Sequence, residues 1–237
     1  MNGFEDNSHN GFLWSSYLKQ SLASVLNFSM PNTHRWVVLH FIKSGCNPKE
    51  NRVVSIGASV VKFTLSRKPF QDLSDTFEVT FQSNRPSVTL TEKQIILEHG
   101  VGKQAQCNGL NAKAAMLQLI DYIGDSPILS FNGELDKQIL KQTCGESFDF
   151  RHELKHWLSI SHLASTLHNE THLLSFEVWL QRYGLIAEMR HDALYDSIMT
   201  VQLLLKLWPL FEKHGATVWR TVKKLESQPK SKSARYD

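Results

Sequence analysis

Three β-rich runs that follow one another with short connections constrain the fold most strongly. Residues 36–42 and 52–63 are mostly apolar and of strand length, and a turn cluster at 47–51 separates them. Residues 76–82 alternate in part between apolar and polar side chains, which is typical of a strand with one buried face. Successive strands with short connections predict an antiparallel meander.

The spacing of apolar residues becomes helical beyond Arg85. Asn111 is positioned to cap a helix that reaches Ile123, and Ser175 is positioned to cap a later helix that reaches Tyr183. The remaining predicted elements are a strand at 127–131, a helix at 133–143, a strand at 157–158, a helix through Leu167, and helices at 175–183, 193–213 and 217–226. Strands first, and then strands alternating with helices, predict an α/β fold with a mixed sheet flanked by helices.

The chain divides by composition into three segments. Residues 1–34 form an N-terminal arm with an amphipathic helix at 12–28, 35–213 form the central domain, and 214–237 form a short helix and a polar tail. The N-terminal helix has two interpretations. It either packs on the core or docks onto a protein partner.

Composition narrows the class of protein. The chain of 237 residues is 41% hydrophobic and has a formal net charge of +3, so a sizeable core is expected and the total charge does not by itself indicate nucleic acid. The three cysteines match no disulfide framework or zinc site, which fits a reducing compartment. The acidic N-terminus and the lack of a long apolar stretch predict a cytoplasmic protein without a membrane span.

Three segments contain polar residues that are candidates for a functional site. The first strand contains His40 and ends in Ser44-Gly45. The second segment places Asn132 just before Asp136 at the start of a helix. The third places His191 before Asp196 at the entrance to the long apolar helix. A histidine in such a loop can reach a water molecule, and Asp196, more than one helical turn later, can face the same cleft.

In this order the three segments resemble the signature motifs of the DEDDh 3′–5′ exonucleases, which include the proofreading epsilon subunit of bacterial DNA polymerase III and ribonuclease T. The run 52–58 also resembles the second strand of that family. The resemblance covers roughly 35–213. It implies a ribonuclease H-like mixed sheet that consists of an antiparallel meander followed by parallel strands. It also implies a protein that acts on 3′ ends of single-stranded nucleic acid.

The resemblance also implies a site. The family holds two divalent metal ions, Mg²⁺ or Mn²⁺, between four carboxylates, and a histidine takes the proton of the attacking water. His191 matches that catalytic histidine, and Asp136 and Asp196 match two metal-binding carboxylates. The implied substrate-binding positions are Ser44, Gly45 and Asn132.

The first motif departs from the family. His40 and Ile42 stand where the two acids of an Asp-x-Glu belong, and Lys43 adds a positive charge beside them. His40 is a third candidate ligand, although imidazole suits Zn²⁺ or Mn²⁺ better than Mg²⁺. We therefore expect weak or single-site metal binding.

The leading hypothesis is a family protein that binds a 3′ end or a nucleotide and has lost most or all hydrolytic activity. One alternative is an active exonuclease with an atypical metal site around His40, Asp136 and Asp196. Another is a protein-interaction scaffold that uses the N-terminal helix.

Overall fold

The computed structural model describes residues 34–44, 52–82, 107–145, 154, 156–186 and 192–227. The chain divides into two compact units, Met1–Pro31 and Asn32–Asp237, and every described residue belongs to the second. The predicted N-terminal helix at 12–28 lies outside the described residues.

The described elements are five strands and six helices. The strands are β1 (Arg35–Lys43), β2 (Val53–Phe63), β3 (Pro69–Thr80), β4 (Ile128–Ser130) and β5 (Trp157–Ser159). The helices are α1 (Ala112–Ile123), α2 (Gly133–Cys144), α3 (Ile160–His168), α4 (Phe176–Arg182), α5 (Ala193–Lys213) and α6 (Trp219–Glu226). None of these helices is long and apolar enough to cross a membrane.

The strands form one mixed sheet in the order β3-β2-β1-β4-β5. β1 and β3 both pair antiparallel with β2, which confirms the predicted meander. β4 pairs parallel with β1, and β5 pairs parallel with β4. The mixed sheet flanked by helices agrees with the predicted fold class.

The third strand is longer than its sequence pattern indicated, since it begins at Pro69 rather than near residue 76. Charged residues interrupt the alternation in its first half. There Lys62 of β2 contacts Asp72 at 2.7 Å and Asp75 at 3.1 Å, so ion pairs between neighbouring strands stabilise this part of the sheet. Proline is tolerated because β3 is an edge strand.

The two faces of β1 contribute to two separate cores. Val37 and Leu39 pack with residues of α1 and α2, whereas Trp36 and Val38 pack with residues of α5. Because side chains alternate along a strand, His40 falls on the α5 face. The strand thus directs the central residue of the first motif toward the helix that carries Asp196.

A glycine lets α5 approach the sheet closely. A Cβ atom added to Gly57 of β2 would lie 2.0 Å from the backbone oxygen of Ala193, the first residue of α5. Any larger side chain at this position would push the helix away from the sheet. Gly57 therefore fixes the position of the third motif relative to the first.

The last helix belongs to the same core. Trp219, Val222 and Leu225 of α6 are buried in the cluster that contains Trp36 and the apolar face of α5. The ring centroids of Trp36 and Trp219 lie 5.3 Å apart. This packing ties α6 to the sheet.

Candidate active-site cleft

A cleft of about 290 Å³ opens where β1 and β4 reach their carboxyl ends. Parallel strands place the residues that follow them at one edge of the sheet, which is why the first and second motifs meet there. The residues that line the cleft are His40, Phe41, Lys43, Phe131, Asn132, Asp136, Leu173, Leu174, Ser175, Phe176 and Glu177.

Asp136 lies in the first turn of α2 and is almost completely buried, with 4% of its surface exposed. Its Oδ1 atom lies 2.8 Å from Nζ of Lys43. Its Oδ2 atom accepts a hydrogen bond of 3.2 Å from the backbone N–H of Asn132. Both oxygens of this carboxylate are thus engaged by groups of the protein itself.

Lys43 is the last residue of β1, and a register shift between Ile42 and Lys43 interrupts the pairing with β2. Its side chain is 21% exposed, so the ammonium group lies at the cleft rather than deep in the core. Lys43 therefore places a positively charged side chain in the cleft, beside the buried carboxylate of Asp136.

His40 faces the second buried carboxylate. Its Nε2 atom lies 3.6 Å from Oδ2 of Asp196, whose side chain is 1% exposed. Its Nδ1 atom lies 3.5 Å from the hydroxyl oxygen of Thr200, and that hydroxyl donates to the backbone oxygen of Asp196 at 2.6 Å. The imidazole of His40 thus lies between the buried carboxylate of Asp196 and the buried hydroxyl of Thr200.

Ile42 contributes no ligand. It is 3% exposed and packs with Val54 and Ala193 in a small apolar cluster. The position that resembles a carboxylate site in the first motif is therefore occupied by a closed hydrophobic contact between β1, β2 and the start of α5.

The implied substrate-binding residues have different surroundings. Asn132 lines the cleft and holds Asp136 through its backbone. The hydroxyl of Ser44 accepts a hydrogen bond from the backbone N–H of Arg52, which closes the β1–β2 pair. Gly45 and the catalytic candidate His191 lie outside the described residues. The roles given to these residues stay predictions.

One wall of the cleft was not predicted from the sequence. Leu173, Leu174 and Ser175 before α4, and Phe176 and Glu177 at its start, line the cleft. The ring of Phe176 lies 5.4 Å from that of His40 and 5.0 Å from that of Phe131. The predicted cap at Ser175 is present, because its side chain accepts from Val178 N–H, but a capping signal does not say what the helix start faces.

The residues present do not fit a pair of magnesium ions. Such a pair needs several oxygen ligands, and here the two buried acids each face a basic side chain while Ile42 is apolar. Within the part of the chain that the structure describes, no group of three or more His, Cys, Asp or Glu side chains is arranged to hold a metal ion. A metal ion at Asp136 would compete with the ammonium group of Lys43 for Oδ1.

Comparison with solved structures identifies the fold. The chain is similar to cell-death related nuclease 4 (CRN-4), with a TM-score of 0.62 and 13% identity over 78% of this chain and 66% of that one. It is also similar to the nuclease domain of 3′hExo, a DEDDh family member bound to rAMP, with a TM-score of 0.61 and 14% identity over 76% and 94%. No protein-family model and no curated protein matches the sequence.

A third similar structure is E. coli exonuclease I in complex with a dT13 oligonucleotide, with a TM-score of 0.55 and 12% identity. The comparison covers 76% of this chain and 42% of exonuclease I, so the chain spans less than half of that protein. Together these similarities show that the chain has the ribonuclease H-like fold of the DEDDh 3′–5′ exonucleases. The fold predicted from the motifs is confirmed.

Proposed function

We propose that this protein binds the 3′ end of a single-stranded nucleic acid, or a nucleotide, in the cleft between β1, α2 and α4 and does not hydrolyse it efficiently. The observation that carries the proposal is the ion pair between Lys43 and Asp136. The ammonium group of Lys43 occupies the position beside Asp136 that a metal ion would need.

Charge explains why this matters for catalysis. Two divalent ions bring four positive charges to the reacting phosphate and generate the attacking hydroxide. Lys43 brings one, and its ammonium group cannot lower the pKa of a bound water as a metal ion does. Losing several kcal/mol of such stabilisation reduces a rate by on the order of 10³-fold or more.

Binding has fewer requirements than hydrolysis, and the lining of the cleft supports binding. Leu174 and the edges of Phe131 and Phe176, which are 6% and 5% exposed, give the cleft an apolar wall against which a base can pack. Lys43 supplies a cation that can contact a phosphate oxygen while it holds Asp136. The similar structures of 3′hExo and exonuclease I are bound to rAMP and to a dT13 oligonucleotide, which supports a nucleotide or a single strand as the occupant.

The test separates binding from hydrolysis. We expect calorimetry with AMP to show binding that EDTA does not abolish. We expect a 5′-labelled single-stranded DNA or RNA to bind and to remain intact with Mg²⁺ or Mn²⁺. Removal of nucleotides from the 3′ end at ordinary enzymatic rates would contradict the loss of activity.

A matched pair of variants locates the binding site. Phe176→Ala removes an aromatic wall of the cleft and should weaken AMP binding, whereas Val178→Ala changes an exposed position on the same short helix and should not. Equal AMP affinities of the two variants would contradict the cleft as the binding site. Thermal unfolding of both variants checks that the fold is retained.

A metal-dependent exonuclease with an atypical site remains the second candidate, and one observation favours it. His40 and Asp136 line the same cleft, and Asp196 contacts His40, so the three candidate ligands lie in one part of the fold, although the described residues are not arranged to hold a metal ion as they stand. Imidazole and carboxylate ligands suit Mn²⁺. Activity with Mn²⁺ that disappears in His40→Ala, while Mg²⁺ gives none, would support this candidate.

A further inference from the structure

A strip of basic side chains lies on α6, outside the cleft. Arg220, Lys223 and Lys224 are all exposed. They are separated by three and four residues, so they share one face of the helix. The opposite face consists of the buried residues Trp219, Val222 and Leu225, which hold the helix against the core.

No acid of α6 offsets this strip. The one acidic residue of the helix is Glu226, and its Oε1 atom accepts a hydrogen bond of 2.9 Å from the backbone N–H of Ser159. Glu226 therefore serves to anchor the helix rather than to neutralise its basic face. A face with three cations and no acid attracts a polyanion.

Short contacts place the end of α6 near the cleft. Ser159 is the last residue of β5, and its hydroxyl donates to the backbone oxygen of Phe131 at 3.0 Å. Phe131 in turn lines the cleft. The hydrogen bond of Glu226 thus brings the carboxyl end of α6 to the sheet edge at which the cleft opens. Arg220 to Lys224 covers about 6 Å along the helix axis.

From this arrangement we propose that the basic strip of α6 binds the phosphate backbone of a single strand whose 3′ end occupies the cleft. The inference rests on the proposed function, since it needs a nucleic acid in the cleft. It adds a second contact surface that distinguishes a strand from a mononucleotide. The cleft binds the terminal nucleotide, and the strip contacts phosphates farther from the 3′ end.

The experiment neutralises the strip. The variant Arg220→Gln/Lys223→Gln/Lys224→Gln is compared with Lys68→Gln/Lys113→Gln/Lys206→Gln, which removes the same charge from exposed lysines on other parts of the chain. Affinities for AMP and for a single-stranded 20-mer of mixed sequence are measured for both variants at several salt concentrations. Thermal unfolding verifies that both variants are folded.

We expect the strip variant to bind AMP like the parent and to bind the 20-mer more weakly. A plot of log affinity against log salt concentration loses about 0.7 from its slope for each lost phosphate contact with a single strand. Three lost contacts therefore make the slope shallower by about 2. Between 50 and 200 mM salt the affinity of the parent should then fall roughly 15-fold more than that of the strip variant. The control variant should keep the slope of the parent.

Three results would overturn the inference. One is equal 20-mer affinity and slope for the strip and control variants. Another is a strip variant that is less stable but binds the 20-mer like the parent, which would show that the three cations only stabilise the helix through its dipole. The third is a strip variant that no longer binds vesicles with anionic lipids but binds the 20-mer like the parent, which would show that the strip contacts a membrane surface. Failure of AMP to bind the parent is a separate result, because it contradicts the proposed function itself.

Discussion

The ion pair between Lys43 and Asp136 gives the sharpest prediction, because it concerns stability as well as function. Lys43→Met keeps most of the side-chain volume and removes the charge. Asp136 is 4% exposed, so its carboxylate would lose its cationic partner in a place that water hardly reaches. Removing one partner of a buried ion pair costs about 3–5 kcal/mol.

The expected loss is smaller in this protein for two structural reasons. The side chain of Lys43 is 21% exposed, and the backbone N–H of Asn132 still donates to the carboxylate after the change. We therefore expect the free energy of unfolding to fall by about 2–3 kcal/mol. For a domain of this size, that corresponds to a decrease of roughly 5–10 °C in the melting temperature.

Urea unfolding of a double-mutant cycle measures this value. The cycle uses Lys43→Met, Asp136→Asn and the combination of both. The two changes should couple by about 1–2 kcal/mol, because the combined variant no longer leaves a buried charge. Lys68→Met, at an exposed lysine of the β2–β3 connection, serves as the control and should change the stability by less than about 0.5 kcal/mol. A coupling energy near zero, with a Lys43→Met variant as stable as the control, would refute the reasoning.

Three further predictions concern other parts of the fold. The triple variant His40→Asp/Ile42→Glu/Lys43→Ala should gain Mg²⁺-dependent degradation of 3′ ends, and the same variant with Lys43 retained should gain much less, because the ammonium still occupies Asp136. A gel assay decides this, and equal activity of the two variants would contradict it. Arg35 of β1 donates two hydrogen bonds to the carboxylate of Asp75, and these bonds hold the pKa of Asp75 well below its ordinary value. Its stabilisation is therefore present above about pH 4 and is lost as the pH falls, so the stability difference between the parent and Asp75→Asn in urea should shrink by roughly 2 kcal/mol between pH 7 and pH 2. A pH-independent difference would contradict this assignment. Gly57→Ala should destabilise the fold by more than about 3 kcal/mol, because the added carbon would lie 2.0 Å from a backbone oxygen of α5, and near-parental circular dichroism melting would show that the helix can move away.

The elements that could be predicted from the sequence are those with local signals. Asn111 caps α1 and Ser175 caps α4 as predicted, because a cap depends on a side chain and a backbone N–H three residues apart. The meander could be predicted because its strands are separated by short turns. The start of β3 was missed because its first half is held by Lys62 of another strand.

The site was predictable in part, for a similar reason. The motifs placed Asp136 and His40 at one cleft, and the structure brings both to its lining. The partner of Asp136 was not predictable, because Lys43 reaches it only after β1 and β4 pair in parallel. The wall formed by Leu174 and Phe176 depends on where α4 packs, and no spacing in the sequence encodes that position.

The lysine at the end of β1 has a consequence for how the cleft responds to its surroundings. A site that recruits metal ions has a charge that varies with the concentration of free divalent cations and with any chelator. Here the countercharge of Asp136 is part of the polypeptide and is present as soon as the chain folds. The charge at Asp136 is therefore balanced when the chain folds, and ligand affinity should be the same in magnesium-rich and magnesium-depleted solutions.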